Sequence, residues 1–355
     1  MTDFTPLPFR HTSWLARAGS YPHAMLSMGE FDLITRYFHR PTPRAVLGVG
    51  DDCALLAPRP GTQLAISSDM LVEGRHFFPN VDPASLGHKA LAVNLSDLAA
   101  CGATPLAFTL ALSLPQADEA WLAPFARGLL ALADEHSCEL VGGDTTRGPL
   151  NICITVFGEV PVVHGRSTAL LRSGARAGDD LYVSGTLGDA RLALDVLRGQ
   201  LNLPAALFTA AQARMDRPTP RVALGCALRG IASAAIDLSD GLLGDLGHIL
   251  KASRVGATVH TDIASKLIAI KSTETPASSM INPKIQLQCV LAGGDDYELA
   301  FTAPPALRNA VAAAAHSAAT PVTRIGHIDA APGVRLVDGA GNAVPNTYTS
   351  FDHFA

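Results

Sequence analysis

The chain has 355 residues, of which 48% are hydrophobic and 17% charged, and its formal net charge is −5 at pH 7. At ~100–200 residues per domain this length predicts two domains, and the hydrophobic content excludes a fibre or a largely disordered chain. The weak negative charge favours small-molecule partners and argues against nucleic acid or an anionic membrane surface as a partner.

The six cysteines are scattered without a C-x-x-C pair, so neither a disulfide framework nor a zinc site is expected, and a reducing cytoplasm fits best. The longest strongly apolar stretch, residues 103–115, is too short for a membrane span of ~20 residues. Residues 1–27 show no clear hydrophobic period and hold three prolines, which predicts a mobile N-terminal extension.

The first predicted elements are a helix at residues 30–38, which prolines stop, and two short buried strands at residues 45–49 and 63–67. Each of these strands runs directly into an acidic turn. Acidic residues at strand ends recur along the rest of the chain.

Two longer helices follow. Asp82 is predicted to cap a helix that has Pro83 at its first position and ends at Gly102, and a second helix is predicted at residues 118–136. Strands at residues 139–141 and 152–160, on either side of a Gly142-Gly143-Asp144 turn, complete a predicted α+β unit.

The second half repeats the pattern of strand, turn and helix. Strands are predicted at residues 181–184, 234–236, 286–292 and 298–302, with glycines or acids at their ends. We therefore predict an N-terminal domain over residues 28–164 and a C-terminal domain over residues 165–355.

Acidic residues inside or beside apolar segments are the main chemical signal. A carboxylate in such a place is costly unless it is paired, hydrogen-bonded or bound to a metal. Few lysines and no His or Cys cluster accompany these acids, so oxygen ligation of a hard cation is indicated, Mg2+ before Ca2+. Taken singly, each acid could instead be a helix cap or a turn former. The set is Asp52, Asp69, Asp97, Asp144, Asp237 and Asp240.

Asp97 is the most informative of these acids because it lies inside a predicted helix, where aspartate has poor propensity and cannot act as a cap. Asn94, three residues earlier, lies on the same helix face, so a local contact between Asn94 and Asp97 is the alternative explanation.

Glycines at three turns would let backbone N–H groups approach an anion such as a phosphate. They occur at 142–143, at 185 and 188, and at 293–294. The chain has no G-x-x-x-x-G-K-[ST] sequence, no protein-kinase motif set and no G-x-S-x-G elbow. Any phosphate chemistry must therefore use a different scaffold.

The order of these motifs resembles the thiamine-monophosphate kinase family within the aminoimidazole ribonucleotide synthetase-like superfamily of ATP-using enzymes. The resemblance covers residues 28–355. Its motifs are Gly50-Asp51-Asp52, Ser67-Ser68-Asp69, Gly74-Arg75-His76-Phe77, Asn94-Leu-Ser-Asp97, Gly142-Gly143-Asp144, Arg172-Ser173-Gly174, Asp237-Leu-Ser-Asp240, Gly294-Asp295-Asp296-Tyr297-Glu298 and Phe351-Asp-His-Phe354.

The resemblance implies a two-domain α/β (α+β) fold with a C-terminal α/β sandwich. In a homodimer the two N-terminal sheets would pair into a barrel. It further implies that ATP phosphorylates thiamine monophosphate to thiamine diphosphate by direct in-line transfer, assisted by several Mg2+ ions. Two like charges ~4 Å apart repel by roughly 4 kcal/mol at an effective dielectric constant of ~20, which bound cations would offset.

The resemblance also implies roles for individual residues. Asp97, Asp144, Arg172 and Asp237 would be catalytic. ATP would contact Gly143, Asp144, Arg172, Ser239 and His136, the last where the family often has Tyr. Thiamine monophosphate would contact His76, Glu298 and Phe351, whose ring would stack on the pyrimidine or, alternatively, anchor the C-terminus in the core. The metal ligands would be Asp52, Ser67, Ser68, Asp69, Asp97, Asp144, Asp237 and Asp240, the serines through side-chain or backbone oxygen.

Two other functions agree with the acid-rich turns. One is a different ATP-dependent enzyme of the same superfamily with another acceptor, and the other is a non-catalytic nucleotide-binding regulator. The combination of Gly-Arg-His-Phe with the terminal Phe-Asp-His-Phe favours the thiamine kinase.

Overall fold

The computed structural model describes residues 29–269 and 281–349, which form two β-sheets with helices packed on them. The elements around the first sheet are α1 (Glu30–Leu33), a π-helical turn (Ile34–Phe38), β1 (Thr62–Val72), α2 (Pro83–Ala100), β2 (Thr104–Leu114), α3 (Glu119–Glu135), β3 (Glu139–Arg147), β4 (Asn151–Val163) and β5 (Arg166–Ser167).

The second sheet and its helices occupy the rest of the described chain. Its elements are β6 (Asp180–Ser184), α4 (Asp189–Leu197), α5 (Ala205–Asp216), α6 (Val222–Ala227), β7 (Ala234–Asp237), α7 (Leu242–Ser253), β8 (Gly256–His260), α8 (Thr261–Ala264), α9 (Pro283–Ala292), β9 (Leu299–Ala303), a 3-10 turn (Pro305–Leu307), α10 (Arg308–Ser317), β10 (Val322–Asp329), β11 (Gly333–Val337) and β12 (Ala343–Val344).

Both sheets are mixed. The first has the order β1-β4-β2-β3, with β5 on β4, and only its β2–β3 pair is parallel among the described strands. The second has the order β12-β11-β8-β10-β6-β9-β7, in which β11 and β8 run parallel.

Helix α2 is the central element because it packs against α3, the first sheet, α6 and β7. Gly87 on α2 and Gly128 on α3 allow the two helix backbones to touch: a Cβ on Gly128 would lie 1.9 Å from the carbonyl oxygen of Ala84. Twelve residues of α2 are buried, so this helix forms the central part of the core between the two sheets.

Several sequence predictions are confirmed at residue level. The side chain of Asp82 caps α2 by accepting a hydrogen bond from the Ser85 N–H at 2.8 Å, and Gly102 takes a left-handed φ of 65° just past the helix end. Asp118 caps α3 in the same way through the Ala120 N–H.

Other predictions were wrong. Residues 45–49 form no strand, only two isolated bridges, from Leu47 to Leu55 and from Val49 to Asp51. Residues 63–67 do form part of β1, but this edge strand alternates between covered and exposed side chains and is not buried.

The segment at residues 286–292 is helix α9, not a strand. Asn282 caps it by accepting from the Lys284 N–H, Pro283 occupies its first position, and Gln286, Cys289 and Val290 share its buried face at helical spacing. The Gly142-Gly143-Asp144 segment is not a turn, since β3 runs straight through it.

A candidate active site between the two sheets

A cavity of about 400 Å³ lies where β1, α2 and α4 meet the loops that follow β7 and precede β9. The cavity brings together six of the residues predicted from the sequence. The side of the first sheet contributes Asp69, His76 and Asp97. The side of the second sheet contributes Asp237, Ser239 and Asp240. Carboxylates far apart in sequence therefore face one space.

Local structure explains how the acids reach the cavity. Strand β1 alternates, so Ser67 and Asp69 point toward α2 while Ser68 points the other way. The Ser67 hydroxyl donates to the Asp97 carboxylate, and the Asp69 N–H donates to Asn94 Oδ1 at 3.1 Å. Asn94 thus binds the backbone of β1 through its Oδ1, and its Nδ2 donates to the Ala90 carbonyl of its own helix.

Asp237 ends β7 and is 7% exposed. The hydroxyl of Ser96, the α2 residue just before Asp97, donates to Asp237 Oδ2 at 2.8 Å. This buried hydrogen bond links α2 to the second sheet directly at the cavity.

Burial raises the pKa values of these carboxylates, and for Asp69 and Asp237 the charges of neighbouring carboxylates add to the rise. Burial, together with the charges of Asp97 and Asp240, raises the pKa of Asp69 to about 6. Burial and the charge of Asp97 raise the pKa of Asp237. Burial also raises the pKa of Asp97, while the Ser67 hydrogen bond and the Arg172 charge act in the opposite direction. Negative charge is therefore concentrated here, and a divalent cation with oxygen ligands would relieve it.

The backbone around Ser239 and Asp240 is fixed by Asp245, whose Oδ2 accepts from the N–H groups of both residues at 3.0 Å. Burial raises the pKa of Asp245 to about 7 even though these hydrogen bonds favour its charged form. Asp245 was not among the predicted site residues, although its position in the first turn of α7 is typical of a residue that binds free backbone N–H groups.

Part of the predicted ligand set lies elsewhere. Asp144 is exposed on β3, in the same cross-strand row as Met70 of β1, which puts it three strand spacings, roughly 14 Å, from β1. Ser68 and Asp144 both lie on the sheet face opposite Asp69. Asp52 is exposed in the loop before β1.

Within residues 29–269 and 281–349, no three His, Cys, Asp or Glu side chains are grouped closely enough to form a complete metal site on their own. The donors present fit a hard cation in chemistry and charge. A complete coordination shell would need oxygens from a substrate, from water or from a second chain.

The predicted nucleotide contacts are also dispersed. Arg172 is exposed, but its charge is close enough to Asp97 to oppose the rise in the pKa of that carboxyl group. His136 is the C-terminal cap of α3 and does not line the cavity, and burial lowers its pKa. A Cβ on Gly143 would lie 1.9 Å from the Leu110 carbonyl oxygen, so this glycine serves the close contact of β3 with β2.

Of the predicted substrate contacts, His76 lines the cavity, and its Nδ1 accepts from the Val72 N–H at 3.0 Å. Glu298 is fully buried and does not line the cavity. Its carboxylate is bound by Arg221, Arg214 and the Ser184 hydroxyl. Its role toward substrate stays a prediction. Phe351 lies outside the described residues.

Two protein-family models, both of AIR synthase related proteins, match the sequence of the chain. The N-terminal domain model matches residues 50–160 and the C-terminal domain model matches residues 176–339. Fold and site thus define a two-domain protein of the AIR synthase related class, and the predicted fold class is confirmed.

Full-length relatives narrow the class. The chain is 47% identical to the thiamine-monophosphate kinase of Salmonella typhimurium over 93% of this chain and 99% of the relative, and 45% identical to that of Escherichia coli K12 with the same coverage. The chain belongs to the thiamine-monophosphate kinase family.

Solved structures agree with this assignment. The crystal structure of thiamine-monophosphate kinase from Stenotrophomonas maltophilia shares 45% identity and a TM-score of 0.75, covering 88% of this chain and 95% of that one. A structure described as AaThiL complexed with AMPPCP and TMP is 28% identical with a TM-score of 0.68, covering 94% and 100%. The hydrogenase maturation protein HypE of E. coli, at 22% identity, shares the fold.

Proposed function

We propose that the chain uses ATP to phosphorylate thiamine monophosphate, giving thiamine diphosphate and ADP. The observation that carries this proposal is the cavity between the sheets, where Asp69, Asp97, Asp237 and Asp240 converge in a chain 45–47% identical to thiamine-monophosphate kinases over 93% of its length.

The proposed transfer is direct. An ionised oxygen of the thiamine monophosphate phosphate attacks the γ-phosphorus of ATP, a new P–O bond forms, and the bond to the β,γ-bridging oxygen breaks as ADP leaves. The acceptor oxygen is already ionised, so no side chain needs to act as a general base.

We propose several Mg2+ ions at the site. In this cavity the carboxylates of Asp69, Asp97, Asp237 and Asp240 would hold them. Asp52, Asp144, Ser67 and Ser68 are proposed as further ligands. Bound Mg2+ supplies neutralisation of phosphate charge. The raised pKa values of Asp69, Asp97 and Asp237 support this assignment, because a nearby cation would stabilise the ionised form that burial disfavours.

The remaining predicted residues bind and orient the substrates. His76 lines the cavity with its Nδ1 held by the Val72 N–H, and it is proposed to contact thiamine monophosphate. Arg172, near Asp97, would stabilise charge on the transferred phosphoryl group. Contacts of Gly143, Ser239 and His136 with ATP, and of Glu298 and Phe351 with thiamine monophosphate, complete the proposal.

We further propose a cytoplasmic homodimer with domains at residues 28–164 and 165–355. Leu64, Ile66 and Met70 expose 43%, 60% and 52% of their surface on one face of β1, and Ser68 and Asp144 lie on that same face of the sheet. A second chain covering this face would bury the apolar side chains and bring further groups to Ser68 and Asp144. Among the described residues, no helix is long and apolar enough to cross a membrane.

The first experiment is to incubate the purified protein with ATP, Mg2+ and thiamine monophosphate and to separate the thiamine phosphates by chromatography with fluorescence detection. Thiamine diphosphate formed in step with ADP supports the proposal. ADP without thiamine diphosphate would indicate a sibling enzyme with another acceptor, and tight ATP binding without turnover would indicate a nucleotide-binding regulator.

A further inference from the structure

A partly buried ion pair, with a buried lysine and an aspartate that is 34% exposed, joins the two halves of the molecule at the cavity wall. Lys89 of α2 has a side chain only 7% exposed, and its Nζ lies 2.5 Å from Asp295 Oδ2 in the loop before β9. Both residues line the cavity. Burying an ammonium group is costly unless a carboxylate compensates it, so this contact fixes the position of Asp295 relative to α2.

The loop that carries Asp295 has an unusual backbone. Gly294, Asp295 and Tyr297 have φ values of 72°, 63° and 52°, in the left-handed region. For a residue other than glycine this conformation costs on the order of 1–3 kcal/mol and persists only where the surroundings hold it. External contacts must therefore keep the loop in place, and the Lys89 ion pair is one of them.

The same loop is bonded to the segment that presents Ser239 and Asp240. The Asp295 N–H donates to the Ser239 carbonyl at 2.7 Å, and the Tyr297 N–H donates to the Leu238 carbonyl at 2.8 Å. A Cβ on Gly294 would lie 2.6 Å from the Ser239 oxygen, so the two segments pack without spare room. Movement of Asp295 would therefore displace Ser239 and Asp240.

Helix α2 also carries Asp97, eight residues and roughly 12 Å along the helix from Lys89. One rigid helix thus presents a proposed metal ligand at one point and, at another, the cation that holds the opposite wall of the cavity. Ser96 and Asp237 form a second contact of this kind.

We propose that Lys89 is a positioning residue of the active site: through Asp295 and the loop at residues 293–297 it sets Ser239 and Asp240 at the correct distance from Asp97. The inference rests on the proposed kinase function. Asp295 lies in the Gly294–Glu298 motif, but no role was predicted for it or for Lys89.

The test is a double-mutant cycle with Lys89→Met, Asp295→Asn and both together, in the full-length protein. We expect each single variant to lower kcat by ~10–100-fold and to raise the Mg2+ concentration for half-maximal rate, because the proposed ligands are displaced. The kcat of the double variant should be no lower than that of the less active single variant, because both substitutions break the same contact. Lys89→Arg, which keeps the charge, should recover part of the rate.

A merely structural ion pair would give a different result. The singles would then lower the unfolding temperature without changing kcat or the Mg2+ requirement at a temperature where all variants are folded, and that outcome overturns the inference. Multiplying losses in the double variant would overturn it as well. Arg308→Met is the matched control, since Arg308 binds the buried carboxylate of Asp180 away from this cavity, and its kinetics should equal those of the unmodified protein.

The unmodified protein separates this inference from the proposed function. If it makes no thiamine diphosphate, the kinase proposal fails, and calorimetry of Mg2+–ATP binding becomes the readout for the same variants. Weaker binding in Lys89→Met and Asp295→Asn, but not in Arg308→Met, would support the positioning role, and equal binding in all four proteins would overturn it.

Discussion

At the scale of single residues, the site is defined by carboxylates whose burial opposes their charge. Asp69, Asp97 and Asp237 all have raised pKa values. The carboxylates of Asp97 and Asp237 each accept a hydrogen bond, and the backbone N–H of Asp69 donates one. Such residues weaken the fold when ionised and alone, so their presence is best explained by a positively charged ligand.

Asp97→Asn should abolish most turnover while leaving the protein folded. The change removes a charge from the proposed metal ligands but keeps the size of the side chain, and loss of an ionised buried group should hold the unfolding temperature near its original value. Steady-state rates over a Mg2+ series and thermal unfolding measure both effects. Asp134→Asn, at an exposed pair with Arg40, is the control; equal kcat in the two variants would contradict the ligand role.

Asp69 should make the metal-free protein less stable as the pH rises. Its folded pKa of about 6 exceeds the ordinary value of 3.8, so the folded state holds its proton more tightly than the unfolded state does. The free energy of unfolding should therefore fall by on the order of 2–3 kcal/mol between pH ~4 and ~6.

Chemical unfolding at several pH values, compared with Asp69→Asn, isolates this contribution. The variant should lose that part of the slope, and saturating Mg2+ should flatten the slope in the original protein. A slope unchanged by both the substitution and Mg2+ would show that Asp69 is not destabilised by its charge.

At the scale of elements, α2 organises the molecule. It contributes Lys89 and Asp97 to the cavity lining, bonds β1 and Asp237 through Asn94 and Ser96, and packs against both sheets. Its close contacts depend on glycine: a Cβ on Gly225 of α6 would lie 2.0 Å from the Ala99 carbonyl oxygen of α2. Small changes at these contacts should move the site.

Gly128→Ala should destabilise the protein by ~1–3 kcal/mol, because the added methyl meets the backbone of Ala84 and the two helices must separate. Gly247→Ala is the matched control in α7, where a Cβ would meet no atom within 4 Å. That substitution should stabilise by ~0.5–1 kcal/mol through helix propensity. Denaturant unfolding of both variants measures the difference, and shifts of the same sign would refute the packing argument.

At the scale of the whole molecule, the first sheet has helices α2 and α3 on one face and exposed apolar side chains on the other. Strand β1 is also an edge strand of this sheet, a position at which another chain can pair. This face is the one that the proposed dimer would cover.

Ile66→Asp should convert the proposed dimer to a monomer and reduce activity, since it places a charge in the centre of the apolar face. Sedimentation velocity and light scattering report the mass, and the kinase assay reports the activity. Leu197→Asp changes an equally large exposed residue on α4 and should leave the mass unchanged. Identical masses for Ile66→Asp and the unmodified protein would exclude this face as the dimer contact.

The sequence by itself determined the family, the proposed chemistry and the helices with strong end signals, such as α2 between Asp82 and Gly102. Capping side chains, prolines and glycines act over a few residues, so their effect is visible in the chain. Residues 286–292 were assigned to the wrong element because a short apolar run fits a buried strand or a buried helix equally well.

Only the tertiary structure decided which acids meet. Asp69 and Asp97 converge with Asp237 because α2 packs between the sheets, whereas Asp144 lies on the opposite sheet face through the alternation of strand side chains. The ion pair of Lys89 with Asp295 spans 206 positions of sequence. Distance in space depends on sheet order and helix packing, and these follow from the sum of many weak contacts that no local motif records.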